Sequence, residues 1–260
     1  MTLSIPRLLT LLVGLTLCPG CDVGYFNLGI GALYLAMLGM VLVSMLVSLY
    51  RKWVARRITR RIREAEQVQS GAFPDGSIGR VVGELVLHEG ELVAPLTGRR
   101  CAAYEVVVDE SFGAFEEGHV ERRVAHEVKA VSFAVDDGTG RTIVHPERAE
   151  FAITADFEDS AGPLEDPTPR QCEFLAQVDC QRLQEHNSPT VIRFREGVLE
   201  PGERVAVLGR GVVSLDASAT AEHTRGYRAP AGSTMVTMAS DSRTPLYISD
   251  DPSVLPTPAR

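Results

Sequence analysis

Val131-Ser132-Phe133-Ala134-Val135, then Asp136-Asp137-Gly138-Thr139-Gly140, then Arg141-Thr142-Ile143-Val144 sets the fold class of this 260-residue chain. Two short runs rich in β-branched and aromatic residues flank five turn formers, the pattern of a β-hairpin. The glycines supply positive φ, and the Asp side chains bond their own backbone within the turn. Asp136 and Asp137 also raise a metal site. No further carboxylates stand at the spacing of a calcium loop, so the pair reads as turn chemistry.

Working outward, similar runs recur between turn residues at Gly79–Leu87, Ala102–Asp109, Ala130–Val135, Thr142–His145, Val191–Phe194 and Val205–Leu208. This punctuation predicts a mostly β domain over residues 77–250, a small barrel or a sandwich. One helix is expected over Gln171–His186, which lacks Gly and Pro and sets Cys172, Leu175 and Leu183 on one face. Ser160–Arg170 reads as a loop, and residues 251–260, with three prolines, as a disordered tail. Ser70–Gly76 is a cluster of breakers that separates this domain from what precedes it.

What precedes it differs in kind. Leu28–Tyr50 carries no charge over twenty-three residues, enough at ~1.5 Å per residue to cross a ~30 Å hydrocarbon core, so an N-terminal transmembrane helix is expected. Arg51, Lys52, Arg56, Arg57, Arg60, Arg61 and Arg63 follow at once, and such a cluster stays on the cytoplasmic side. The β domain is therefore expected in the cytoplasm, at the inner (plasma) membrane. Residues 51–76 read as a basic helix and linker: Val54, Ile58, Ile62 and Ala65 fall on one stripe, and Arg51, Lys52, Arg56, Arg57, Arg60 and Arg61 can meet anionic membrane lipid. Within the span, Gly29, Ala32, Ala36 and Gly39 form a small-residue stripe suited to close helix packing, hence to a homo-oligomer through the anchor or to packing against the first hydrophobic segment. Residues 1–27 allow two readings. Leu8–Leu17 behind Arg7, closed by Cys18-Pro19-Gly20-Cys21, is either a cleaved signal, with Cys21 a lipidation candidate, or an uncleaved first arm.

Charge separates the two parts as well. Residues 1–66 hold 8 Lys+Arg against 3 Asp+Glu, and the rest holds 18 against 31. An acidic domain repels phosphate backbones, so nucleic acid is not an expected partner. Enzymatic signatures are missing too: neither GxSxG, HExxH nor a P-loop occurs. Gly209-Arg210-Gly211 lacks the third glycine and the helix of a phosphate site. His119 and His126, set among Glu116, Glu117, Glu121 and Glu127, read as a solvated connection between strands rather than a metal patch, and Arg99-Arg100 and Arg122-Arg123 read as surface charge. Cys101, Cys172 and Cys180 read as free thiols, since two cysteines eight residues apart on a helix lie ~12 Å apart. No catalytic, cofactor or metal residues are assigned, and no cofactor is expected.

One set of motifs, taken in order, resembles a known family. Gly79-x-Val81 leads to Leu92-Val93-Ala94-Pro95-Leu96-Thr97-Gly98-Arg99, Cys101, Tyr104 and Glu110. Then come Phe133 to Gly140, Glu196-Gly197-Val198-Leu199-Glu200-Pro201-Gly202-Glu203, Val205 to Gly209, and Pro245 to Asp250. Across about residues 76–250 this is similar to the GIDE or beside-a-membrane domain, found in the MULAN-type membrane ubiquitin ligases and in bacterial membrane proteins. The resemblance implies a membrane-proximal module that recognises a protein partner. Ligase activity is not carried over, because the RING finger needs paired Cys and His ligands. After the anchor, no Cys or His lies within two to four residues of another. The expected function is a membrane-anchored, non-enzymatic binding or scaffold module. The alternative is a divergent enzyme or a component of a ubiquitin-ligase-like system.

Overall fold

The computed structural model describes residues 38–39, 42–43, 45–46, 49–50, 53–54, 56–112, 120–162, 166–180, 191–215, 234–242 and 244–255. The chain divides into two units, Met1–Leu49 and Tyr50–Arg260. In the first, the described residues, Leu38, Gly39, Leu42, Val43, Met45, Leu46 and Leu49, are helical and exposed. Most of the expected span Leu28–Tyr50 lies outside the described residues, as do Cys21, Gly29, Ala32, Ala36, Arg51 and Lys52. Among the described residues no helix is long and apolar enough to cross a membrane.

The second unit is mostly β. Its strands are β1 (Ile78–Leu87), β2 (Leu92–Val93), β3 (Arg100–Cys101), β4 (Ala103–Phe112), β5 (Val120–Ala130), β6 (Phe133–Asp136), β7 (Arg141–His145), β8 (Glu150–Ala152), β9 (Phe157–Ala161), β10 (Val191–Leu199), β11 (Arg204–Leu215), β12 (Thr234–Ala239) and β13 (Tyr247–Ser249), with helix α1 (Pro169–Gln177) between β9 and β10. Following the hydrogen bonds from β1 to β6, β7, β12, β11 and back to β1 closes a ring. Within this ring only the β7–β12 pair is parallel. Numbered within the ring, the order is 1-2-3-5-4, a five-stranded Greek-key barrel of the OB type. Of the two architectures that the alternation allowed, the barrel is therefore the one formed.

Inward positions alternate as the pleat requires. Val81, Leu85, Phe133, Val135, Val144, Val205, Val207, Val236 and Met238 fill the interior. β1 changes partners at Glu84, which faces Arg204 of β11 and Asp136 of β6. Gly83 makes this exchange possible, because a Cβ there would stand 2.3 Å from the Asp136 carbonyl oxygen.

A second, antiparallel sheet, β5-β4-β10-β9, is inserted between barrel strands. Tyr104, Val106, Val108, Ile192, Phe194 and Val198 line its inner face, and Phe174 and Leu175 of α1 pack there with them. α1 opens with a capping box: the Thr168 hydroxyl accepts from the Gln171 N–H, and the Gln171 side chain accepts from the Thr168 N–H.

The basic segment is helical over residues 56–64 and docks on the barrel. Its Ile58 and Ile62 are buried against Val82, Ala206, Leu208, Tyr247 and Val254. Burying a side chain of this size stabilises by roughly 1.5–3 kcal/mol. Below the helix, the chain runs beside β1. The Val68 N–H donates to the Arg80 carbonyl at 2.8 Å, and the Arg80 N–H to that of Glu66 at 2.9 Å.

Several expectations are corrected. Residues 120–130 are not a connection but the eleven-residue strand β5, pairing with β4 from Val120↔Phe112 to Ala130↔Ala103 across a bulge. Ala130–Val135 is broken at Val131-Ser132, where the chain passes from the second sheet to the barrel. The expected loop Ser160–Arg170 contains the end of β9 and the start of α1, and α1 stops at Gln177 rather than reaching His186. Asp251–Leu255 is not a free tail, since Val254 is 2% exposed and packs with Ile58 and Ile62.

Candidate functional site

Two places in the β unit gather polar groups. The first lies beneath the turn Pro95–Arg99, where Gly98 adopts φ +76. Glu196 on β10 is 0% exposed and points into this turn. Its carboxylate accepts the Leu96 N–H at 2.7 Å, the Thr97 N–H at 2.9 Å and the Thr97 hydroxyl. Arg99 then turns outward to grip Asp156 with both terminal nitrogens, and also meets Glu200 at 3.2 Å. Leu96, Thr97, Arg99, Glu196 and Glu200 are all residues that carried the family resemblance. Here they build a clasp whose inner half, Glu196 with Leu96 and Thr97, is spent on holding the turn, while the Arg99 pairs with Asp156 and Glu200 lie partly exposed.

The turn Asp136–Gly140 is likewise self-satisfied. Asp137 accepts the N–H groups of Ser70, Thr139 and Gly140, and these bonds hold its carboxyl below the usual range against the cost of burial. Asp136 accepts the Gly138 N–H at 2.9 Å and pairs with Arg141. Among the described residues no group of three His, Cys, Asp or Glu is placed to hold a metal ion. Cys101, Cys172 and Cys180 are free thiols. Burial, with Glu196 nearby, pushes the Cys101 thiol up to about 11, far from a nucleophile's range.

The second place is a groove of about 500 Å³ where the barrel, the second sheet and the basic helix meet. Its apolar lining comes from Val54 and Ile58 of the helical segment, Val128 and Ala130 of β5, Phe151 of β8 and Ala149 just before it; Glu105, His126, Ser132, Glu147, Arg148 and Glu150 supply its polar lining. Both β5 and β8 are outermost strands of their sheets. His126 Nε2 lies 2.8 Å from Glu105 Oε1, and Ser132 Oγ lies 3.0 Å from His145 Nδ1. These are separate pairs, and neither forms a relay of nucleophile, base and orienting acid.

Arg148 is unusual. The Ala149 N–H closes a turn onto the Pro146 carbonyl at 2.9 Å, and Arg148, third in that turn, has φ +64. That position belongs by preference to Gly or Asn, and an L side chain there costs roughly 1–2 kcal/mol. Its side chain is exposed, with no partner among the described residues.

The sequence-level site residues fall as follows. Gly39 is helical and exposed, and Arg56, Arg57 and Arg60 are exposed on the basic helix. Arg60 pairs with Glu64 one turn on. Arg61 donates to the Tyr247 hydroxyl at 2.6 Å and lies over its ring, so it fastens the helix to β13. None of these residues belongs to the groove. Its lining comes from four separate segments, and nothing in the local sequence of any one of them marks it.

The described geometry defines a small-barrel domain with an open groove and no assembled catalytic set among the described residues. Residues 105–222 match the model of the GIDE family, whose description is E3 Ubiquitin ligase. No curated protein and no solved structure matches it.

Proposed function

We propose that this chain is a membrane-anchored, non-enzymatic binding or scaffold module. Its β domain faces the cytoplasm, and the groove beside the basic helix is its binding site. The observation that carries this reading is the junction itself: a groove with an apolar floor, walled on one side by a helix that is locked to the barrel through Ile58, Ile62 and Arg61. Such a mix of apolar surface and a few polar groups is the usual make-up of a ligand site.

Membrane attachment is supported by the helix at its other end. Tyr50 and Trp53 stack at 6.1 Å between ring centres, and Arg57 lies 5.4 Å above the Trp53 ring. Tyr and Trp followed by Arg mark the cytoplasmic interface of a membrane helix. Leu38, Leu42, Val43, Met45, Leu46 and Leu49 are all more than half exposed, as lipid-facing residues are when no bilayer surrounds them. A role within a ubiquitin-ligase-type system is favoured by the family description alone.

The test uses full-length protein in cells. Membranes should retain it through carbonate extraction, and a cysteine placed after Asp250 should resist an impermeant thiol reagent until the cells are opened. Release by carbonate, or labelling of intact cells, overturns the reading. Ubiquitin transfer by the purified chain alone would overturn its non-enzymatic part.

A further inference from the structure

We infer that β5 pairs with β5 of a second copy of this chain, antiparallel and with Val128 opposite Val128 on a two-fold axis. The strength of this contact rests on the membrane-anchored reading above, because it joins copies held in one bilayer.

Three observations converge on a second copy. The first is the direction of the free backbone groups. β5 is the outermost strand of its sheet, and just beyond it the Val131 N–H donates to the Ala102 carbonyl at 2.9 Å. That bond sets the phase of the β4–β5 ladder: Lys129, Glu127 and Ala125 exchange bonds with Tyr104, Val106 and Val108. The N–H and C=O groups of His126, Val128 and Ala130 therefore point away from β4, and no described residue takes them. Such a row of open groups is a template for one more strand.

The second is the charge pattern, which selects both the partner and the register. With Val128 opposite Val128, His126 meets Ala130 of the other copy through open groups on both sides. Between these pairs, Glu127 of each copy faces Lys129 of the other. Those are the close, non-hydrogen-bonded positions, where opposite charges stabilise and like charges repel. Glu127 and Lys129 share the face of Tyr104, whose hydroxyl donates to Glu127 and whose ring lies under Lys129. A shift to the next matching register sets Glu127 against Glu127 in one direction and Lys129 against Lys129 in the other. An intermediate register sets open backbone groups against occupied ones.

The third is the extent of the edge. Val128, an exposed apolar side chain at the centre of the pairing, is covered by its own copy. The β4–β5 register shifts beyond Val108, which faces Ala125, and this bulge ends the regular stretch just before His126. So short a pairing falls well below the ~800 Å² per partner of a stable interface. Tethering in one membrane, which raises the effective concentration to about millimolar, supplies what the contact area lacks. Because Val128 and Ala130 also line the groove, the pairing sets the grooves of the two copies side by side.

The experiment uses full-length protein in native membranes, with Val128→Cys as the reporter. Paired positions on the axis stand about 5.5 Å apart between Cα atoms, within reach of a disulfide. Mild oxidation should give a linked dimer above the background set by the chain's own cysteines, read from the parent protein. Adding Lys129→Glu, which sets carboxylate against carboxylate, should lower the yield about tenfold, and adding Glu127→Lys as well should restore it. Absence of the dimer, a cross-link to a protein of another size, equal yields in all three reporters, or a loss that the swap leaves unrepaired each overturns the pairing. Carbonate extraction of the same membranes tests the anchor separately. Release by carbonate overturns the membrane reading, and the same charge series on the released protein at about millimolar concentration still decides the pairing.

Discussion

Glu196 and Arg148 are both charged side chains in irregular surroundings, yet they are opposites. Glu196 is sealed inside the domain with three donors upon it; Arg148 stands in the open on a strained backbone, at the edge of a groove. The first belongs to the motifs by which the family is recognised, and the second to none of them. The difference teaches that here the recognisable residues hold the fold, whereas the residues free to meet a ligand lie where no motif marks them.

That contrast can be broken by mutation. Glu196→Ala should have the largest effect, about 4 kcal/mol lost in urea unfolding of the full chain, because it strands the buried Leu96 N–H and the half-buried Thr97 N–H and hydroxyl. Glu196→Gln, which keeps an acceptor, should lose about half as much. A loss under 1 kcal/mol for the alanine variant would show that the clasp is incidental. Ile62→Ala should follow at about 3 kcal/mol, with faster hydrogen exchange across residues 58–68. Unchanged exchange would show that the helix is held by other contacts.

Thiol chemistry gives an intermediate effect. With its thiol pushed up to about 11 by burial, Cys101 should be alkylated at pH 8 at least about 100-fold more slowly than an ordinary cysteine, and should become reactive only on unfolding. Modification at the rate of Cys172 or Cys180 would refute its enclosure.

A smaller effect concerns pH. Burial, chiefly, holds the Asp250 and Glu203 carboxyls above the usual range. The folded state therefore keeps these protons more tightly than the unfolded chain, and stability should fall as pH rises from the ordinary carboxylate value through the raised ones. Asp250→Asn leaves an oxygen for the Thr154 N–H and should flatten that decline, as read from melting temperatures between pH 4 and pH 7. A parallel pH profile would refute the role of Asp250. Arg148→Gly should change stability least, by no more than about 0.5 kcal/mol, since relief of the strained backbone offsets the extra freedom of glycine in the unfolded chain. A loss comparable to that of Glu196→Ala would erase the contrast between the two sites.

The legible parts of the fold are those with local chemistry. The hairpin around Asp136–Gly140 could be read because Asp137 closes its own turn, and the stripe Ile58, Ile62, Ala65 could be read by its helical spacing. What Ile58 and Ile62 pack against could not be read, because Tyr247 and Val254 lie nearly two hundred residues on. β5 escaped because an edge strand facing solvent alternates charges where a covered strand would alternate hydrophobes. α1 begins two residues before Gln171 because its start is set by the Thr168 cap and Pro169, not by the apolar stripe on which the expectation over Gln171–His186 rests. β8 and β13, three residues each, are too short for any period to show. The groove was invisible for a further reason: it exists only once the helix, β5 and the β7–β8 turn have been brought together.

The closed ring also sets the order in which this chain can mature. β1 is sealed by β11, with Ile78 facing Arg210 and Glu84 facing Arg204, so more than a hundred residues must leave the ribosome before its second edge finds a neighbour. Contacts across so long a loop form slowly, because the entropy of closing it is spent before any of them helps. Until then β6 covers β1 over Glu84–Leu87 and residues 66–68 bond only at Arg80, so the edge of Ile78–Glu84 that β11 will take is left open to pairing with other nascent chains.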